Sequence, residues 1–192
     1  IELLLEYLKK NLKNDRFRLV IRPHPAYFFR EKFKEEIKKI REIGNREKEF
    51  VEMNIPEFIE RSNGFEFSES DQHLHESLIR KCSVLVTSYS TLMLEAVIFD
   101  KPIINIGFDE SRRLMGYKSH YASIRETHLK KVLSNGFTSD AKTEKQFIDL
   151  LKSNLRNPRK LSEERKKVFN EYVNYNFGDS ANKIAIHLKD VI

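Results

Sequence analysis

Four hydroxyl-bearing residues stand within five positions, between a short apolar run and a helical pattern: Thr87, Ser88, Ser90 and Thr91. Hydroxyls and backbone N–H groups at the start of a helix favour an anion, because the helix dipole places positive charge there. Glu95 follows one helical turn after Thr91, where a carboxylate can accept hydrogen bonds from ribose hydroxyls. The segment predicts a nucleotide phosphate site. Two simpler interpretations remain, a single capping hydroxyl and an ordinary first-turn helix carboxylate.

A second reactive group is His24, which lies between two prolines in the segment RPHP that begins at Arg22. The apolar residues 17–21 predict a buried strand that delivers this segment to one edge of the sheet. Proline on both sides restricts the backbone, so the imidazole is expected on a stiff loop. It can act as a general acid or base, or as a charged hydrogen-bond donor to a phosphate. The alternative is a histidine packed on Tyr27 or Phe28.

A basic loop is predicted at residues 109–128, and it carries Arg112 and His120 beside the expected ligand edge as candidates for binding the nucleotide phosphates. An arginine in such a loop can hold a diphosphate with two parallel N–H groups, although a solvated loop has the same composition. His73 and His75 lie two positions apart and therefore point to different faces of a helix, which makes a poor metal pair. No metal site is predicted.

The elements that must position these groups alternate between strand and helix. Strands are predicted at 17–22, 65–68, 83–88 and 102–107, and helices at 1–13, 30–42, 72–81, 91–99, 143–153, 159–173 and from about 179. Residues 44–64 are predicted to be irregular or mixed. This alternation is typical of an α/β protein with a doubly wound, mainly parallel sheet, in which ligands bind at the carboxyl ends of the strands. Asp71 is predicted as the N-cap of helix 72–81.

The last helix carries apolar residues at the spacing of a buried face, at Ala181, Ile184, Ala185 and Leu188. Residues 1–192 are expected to form a single Rossmann-like domain. Since the chain begins at Ile1 without an initiator methionine, it is also expected to be part of a longer two-domain polypeptide.

The S-x-S-T-x-x-x-E-A run from Ser88 to Ala96, followed by Pro102, resembles the donor-nucleotide site of GT-B glycosyltransferases. It is most similar to the CDP-glycerol glycerophosphotransferase and capsular-polysaccharide transferase group, and the resemblance covers about residues 17–188. It implies the C-terminal, Rossmann-like half of such an enzyme, with an N-terminal acceptor domain outside this chain. It also implies that Ser88, Tyr89, Ser90, Thr91 and Arg22 bind the donor phosphates, Glu95 the ribose, and that His24 is catalytic.

The resemblance implies a transferase that moves a sugar or polyol phosphate from a nucleotide-activated donor to a glycan or lipid-linked acceptor. The donor, linked to CDP, UDP or CMP, is a substrate, and no tightly bound cofactor is expected. The products would be bacterial surface polymers of the capsule or teichoic-acid type, and this chain alone is expected to be inactive. Two alternatives stay open, a nucleotide-sugar 2-epimerase on the same scaffold and a non-catalytic module that binds a polymer or a membrane.

The composition of the chain indicates which cellular compartment and which partners to expect. The chain has 192 residues, one cysteine and a formal net charge of +6, with a pI near 9.3. A single cysteine excludes an internal disulfide and fits a reducing cytoplasm. The basic residues are interspersed with acidic ones and form no stripe with aromatic residues, so nucleic acid is not an expected partner. The excess charge instead favours peripheral contact with an anionic membrane, at the inner face of the cell membrane.

Overall fold

The computed structural model describes residues 1–11, 17–29, 31–62, 64–108, 129–174 and 178–191. The chain divides into two compact units, Ile1–Ser77 and Leu78–Ile192, and the division falls within one helix. Short parallel sheets and helices alternate along the sequence, so the predicted α/β class is confirmed.

The first unit contains a parallel strand pair and an antiparallel hairpin. Its elements are α1 (Glu2–Asn11), β1 (Leu19–Ile21), α2 (Ala26–Phe29), a 3-10 turn (Glu31–Phe33), α3 (Lys34–Arg46), β2 (Val51–Met53), β3 (Phe58–Arg61), β4 (Gly64–Phe67) and the start of α4 (Glu69–Lys81). Strand β1 pairs in parallel with β2, and β3 pairs antiparallel with β4. The helices bury Leu5 and Leu8 of α1 and Ile37 of α3, and β2 buries Val51.

The second unit is built on a three-stranded parallel sheet in the order β5-β6-β7. Its elements are β5 (Leu85–Thr87), α5 (Leu92–Ile98), β6 (Ile103–Ile106), α6 (Leu129–Leu133), β7 (Ser139–Ala141), α7 (Glu144–Arg156), α8 (Ser162–Val168), a π-helical turn (Phe169–Val173) and α9 (Ser180–Val191). The central strand β6 is an apolar run and is buried over three of its four residues. One core cluster joins strand and helix residues: Ile79, Met93, Ala96, Val97, Ile103, Leu129, Val132, Phe137 and Val168.

Three local predictions need correction. The predicted strand at 65–68 exists as β4, but it belongs to an antiparallel hairpin instead of the parallel sheet. Helix α4 begins at Glu69, and Ser68 caps it by accepting a hydrogen bond on Oγ from the backbone N–H of Asp71 at 3.1 Å. Asp71 therefore lies in the first turn and is not the N-cap.

The predicted burial of the last helix is wrong within the part of the chain that the structure describes. In α9, Ile184 is 60% exposed and Leu188 is 53% exposed. Core spacing shows only that a helix has an apolar face, and it does not show that a partner covers that face. Among the described residues, no helix is both long enough and apolar enough to cross a membrane.

Candidate functional site

The hydroxyl-rich turn joins β5 to α5 in the second unit. Ser90 Oγ accepts a hydrogen bond from the backbone N–H of Leu92 at 3.1 Å, so this hydroxyl serves the start of the helix. Tyr89 has a φ of 38°, a left-handed conformation that is rare for a residue with a side chain. Ser88 and Thr91 are exposed on either side of this bend. The capping interpretation therefore fits Ser90, and it leaves Ser88 and Thr91 as hydroxyls at the surface of the turn.

Glu95 lies on α5 one turn after Thr91 and is partly exposed. Its neighbours Met93, Ala96 and Val97 are buried in the core, which fixes the helix that carries it. The turn and the first part of α5 thus present two exposed hydroxyls and one carboxylate. Such a set can donate to phosphate oxygens and accept from sugar hydroxyls. Phosphate and ribose binding by these residues stays a prediction.

A polar row crosses the sheet close to the carboxyl ends of its strands, and sequence reasoning missed it. Thr87 of β5, Asn105 of β6 and Asp140 of β7 are aligned in register. Asn105 is fully buried, and its Nδ2 donates to Asp140 Oδ1 at 3.0 Å. Among the described residues, its Oδ1 has no hydrogen-bond partner. The signal was available, because Asn105 is the one polar residue in the apolar run Ile103–Ile106.

In the first unit, β1 and β2 end beside each other at Arg22 and Asn54. The guanidinium of Arg22 donates from Nη1 to Asn54 Oδ1 and from Nη2 to Asp71 Oδ2. Asp71 is buried, and the side chain of Arg22 is only 16% exposed. The two charges offset each other within the protein. This geometry gives Arg22 a structural task, and phosphate binding by Arg22 stays a prediction.

His24 follows Arg22 on an anchored loop. The flanking Pro23 and Pro25 are buried, while His24 itself is exposed. Its carbonyl accepts a hydrogen bond from the N–H of Tyr27 at 2.9 Å, which starts the short helix α2. The imidazole packs edge to face on Phe65 of β4, with ring centroids 5.6 Å apart and an interplanar angle of 83°. The alternative interpretation of the sequence was packing on Tyr27 or Phe28, close along the chain, whereas this aromatic contact comes from the hairpin.

The structure therefore places the predicted site residues in two groups. Arg22 and His24 belong to the first unit, and Ser88, Tyr89, Ser90, Thr91 and Glu95 belong to the second. Arg112 and His120 lie outside the described residues. Within the described ranges, no group of three or more His, Cys, Asp or Glu side chains is arranged to hold a metal ion.

A comparison with protein-family models identifies a family for the chain. The model of the CDP-glycerol:poly(glycerophosphate) glycerophosphotransferases matches residues 2–188. Searches of curated proteins and of solved structures give no significant match. The family match spans both units and includes all the predicted site residues.

Proposed function

The chain belongs to the CDP-glycerol:poly(glycerophosphate) glycerophosphotransferase family, and from this premise we propose that it acts in glycerol phosphate transfer from CDP-glycerol to a poly(glycerophosphate) acceptor. The family match over residues 2–188 is the observation that carries the proposal. It favours a transferase over a nucleotide-sugar 2-epimerase or a non-catalytic module. CDP-glycerol is a substrate in this reaction, and the product is a cell-wall polymer of the teichoic-acid type.

The donor is bound by the turn between β5 and α5. The hydroxyls of Ser88 and Thr91 donate to the diphosphate, and Glu95 accepts from the ribose hydroxyls. Support comes from the exposure of both hydroxyls and from their position at the carboxyl end of a parallel strand, where open α/β sheets bind ligands. Ser90 contributes by holding the turn through its bond to the Leu92 N–H.

The chemical step is the attack of an acceptor hydroxyl on the phosphorus atom that carries the glycerol. A new P–O bond forms to the acceptor, the P–O bond to the CMP phosphate breaks, and CMP leaves. His24 either takes the proton from the attacking hydroxyl or donates a hydrogen bond to the departing phosphate. An exposed imidazole on a loop anchored by two buried prolines suits both roles.

Calorimetric titration with CDP-glycerol, CDP, UDP, GDP and ADP tests donor binding. The variant Ser88→Ala with Thr91→Ala removes two exposed hydroxyls and leaves the capping bond of Ser90 intact. A hydrogen bond to a charged group contributes about 1.5 to 3 kcal/mol. Each lost hydroxyl should therefore weaken binding of the cytidine nucleotides by roughly 10- to 150-fold.

Ser83→Ala is the matched control, because Ser83 is an exposed serine before the amino end of the same strand. It should bind as the unmodified protein does. Equal affinity in the double variant would contradict the role of Ser88 and Thr91. Absence of nucleotide binding by the folded protein would contradict donor binding by this chain.

The polymer acceptor would be reached at an anionic membrane surface, in keeping with the net charge of +6. Co-sedimentation with anionic lipid vesicles, released by salt, tests this part of the proposal. Neutral vesicles are the control. Equal sedimentation with both lipids, or none with either, would refute it.

A further inference from the structure

Asp71 is a buried carboxylate in the first turn of α4, 3% exposed. Burying a carboxylate costs free energy unless both oxygens are hydrogen-bonded. Oδ2 accepts from Arg22 Nη2, and Oδ1 accepts from the backbone N–H of Glu57 at 2.9 Å. One carboxylate thus binds two segments of the first unit, the end of β1 and the residue that precedes β3.

The first of these segments leads directly to His24. A guanidinium is a planar fork, so two bonds to different partners fix its orientation. Arg22 makes two such bonds, one to Asp71 and one to Asn54. The backbone N–H of Asn54 also donates to Ile21 O at 2.9 Å. Two positions later, His24 is held between buried prolines. By holding Arg22, Asp71 therefore fixes the backbone that leads to His24.

The second segment carries the surface on which the imidazole lies. Glu57 opens the β3–β4 hairpin, and its carbonyl accepts from the N–H of Ser68 at the other end of the hairpin, at 3.2 Å. Phe65 within this hairpin makes the edge-to-face contact with His24. Phe65 in turn contacts Phe58 and Phe67, at centroid distances of 6.2 and 5.3 Å. Asp71 therefore anchors both the loop that bears the imidazole and the hairpin that packs on it.

We propose that Asp71 is a positioning residue for His24, holding the imidazole in one orientation through Arg22 on one side and through the hairpin on the other. This inference rests on the proposed role of His24 in transfer. Asp71 acts at a distance and touches no substrate. Its task requires a charged carboxylate, because only a carboxylate matches the guanidinium in charge while accepting the Glu57 N–H.

The test is Asp71→Asn, which keeps the shape of the side chain and removes its charge. NMR of the His24 ring protons reports orientation, because the ring current of Phe65 shifts them. We expect those signals to move toward the positions of a histidine that has no aromatic ring beside it. In transfer assays on the protein in its full length, we expect kcat to fall by up to about 100-fold, as for a misplaced catalytic group, with KM for CDP-glycerol unchanged.

Glu66→Gln is the matched control. It also removes one negative charge from an arginine–carboxylate pair, but the Arg61–Glu66 pair of the same hairpin is exposed. It should leave both the His24 signals and kcat unchanged. If Asp71→Asn unfolds the protein, Arg22→Lys replaces it, with the His24 signals as its readout, since lysine keeps the charge and loses the fork.

The outcomes separate the two proposals. Unchanged His24 signals and unchanged kcat in a folded variant would overturn the positioning role. A loss of kcat while the His24 signals stay in place would overturn it as well. Full activity of His24→Ala would instead overturn the proposed role of His24, whatever Asp71 does.

Discussion

Arg165 donates a hydrogen bond from Nε to Oδ1 of Asp100 at 2.6 Å, and Asp100 adopts a left-handed φ of 49° to end α5. Arg165 also donates from Nη2 to Pro158 O at 2.8 Å, and Ser162 Oγ donates to Asp100 Oδ2 at 2.6 Å. These bonds join α8 to the end of α5, the helix that carries Glu95. The two side chains differ in burial, since that of Arg165 is 1% exposed and that of Asp100 is 48% exposed.

This difference in burial predicts which of the two substitutions destabilises the protein more. Asp100→Gly leaves a buried guanidinium without its carboxylate. Breaking a fully buried pair costs about 3 to 5 kcal/mol, which is an upper bound for this half-exposed one. Glycine also relaxes the left-handed backbone, so strain does not explain a loss. Arg165→Met leaves Asp100, whose half-exposed carboxylate water can solvate, and it should cost less. Urea unfolding of both variants measures which one loses more free energy of unfolding. A larger loss in Arg165→Met would contradict the argument.

A partly buried pair predicts a pH dependence of stability. Lys9 of α1 donates to Glu47, and its ammonium lies 5.1 Å from the centroid of the Phe50 ring. The hydrogen bond from Lys9 lowers the pKa of Glu47 below its ordinary value of 4.5. Ionised Glu47 therefore favours the folded state above about pH 4.5, and this contribution is lost as the pH falls through the folded-state pKa.

Glu47→Gln should accordingly lower Tm at neutral pH, and the difference from the unmodified protein should shrink on acidification to about pH 3. Thermal unfolding followed by circular dichroism at several pH values measures the difference. Glu49→Gln, at an exposed position nearby, is the control and should show no such convergence. A constant difference at all pH values would count against the pair.

Local sequence patterns were enough to predict the α/β class and the strand–turn–helix unit around Ser90. A short, largely apolar run such as Ile103–Ile106, rich in isoleucine and flanked by Pro102 and Gly107, is typical of a buried parallel strand. The hairpin was missed although Asn-Gly at residues 63–64 is a strong turn signal. The strand that was missed is β3, which is short and has three exposed residues, so it shows no buried face.

The contacts that organise the candidate site were beyond local reasoning. Asp71 was predicted as a cap because its sequence neighbours begin a helix, whereas its partner Arg22 lies 49 positions away. For His24, packing on Tyr27 or Phe28 of its own loop was the alternative to a functional role, and the aromatic contact that the structure shows is with Phe65. Residue types and spacing identified the side chains that are able to bind a ligand or take part in a reaction. Which groups meet is decided by long-range pairing, which one sequence does not display.

Cys82 is the one cysteine of the chain, and it is partly buried. Burial raises the pKa of its thiol above the ordinary value of 9.0, and Sγ lies 3.2 Å from Ile79 O as a donor. Because only the thiolate reacts, alkylation by iodoacetamide near pH 8 should be slower than that of a small free thiol. Mass spectrometry over time measures the rate, and urea should accelerate it. A native rate equal to that of the free thiol would refute this expectation.

Gly44 is buried in α3 where the helix packs on β2, and a Cβ built there would lie 2.6 Å from Met53 Cγ. Two effects of Gly44→Ala oppose each other. Alanine is better than glycine in a helix interior by about 1 kcal/mol. Overpacking a filled site costs about 1 to 3 kcal/mol. Because Cγ lies in the middle of the methionine side chain and cannot swing aside freely, the collision should dominate, and Gly44→Ala should lower the free energy of unfolding.

Met53→Ala removes the obstructing atoms, and this should reverse the sign of the effect of Gly44→Ala on the free energy of unfolding. In that background, Gly44→Ala should raise the free energy of unfolding by up to about 1 kcal/mol, the helix propensity gain alone. Urea unfolding of the four proteins forms a double-mutant cycle, in which the coupling between the two positions measures the collision. Stabilisation by Gly44→Ala in both backgrounds would mean that α3 and β2 have room for a methyl group, and the close packing of helix on strand would be disproved.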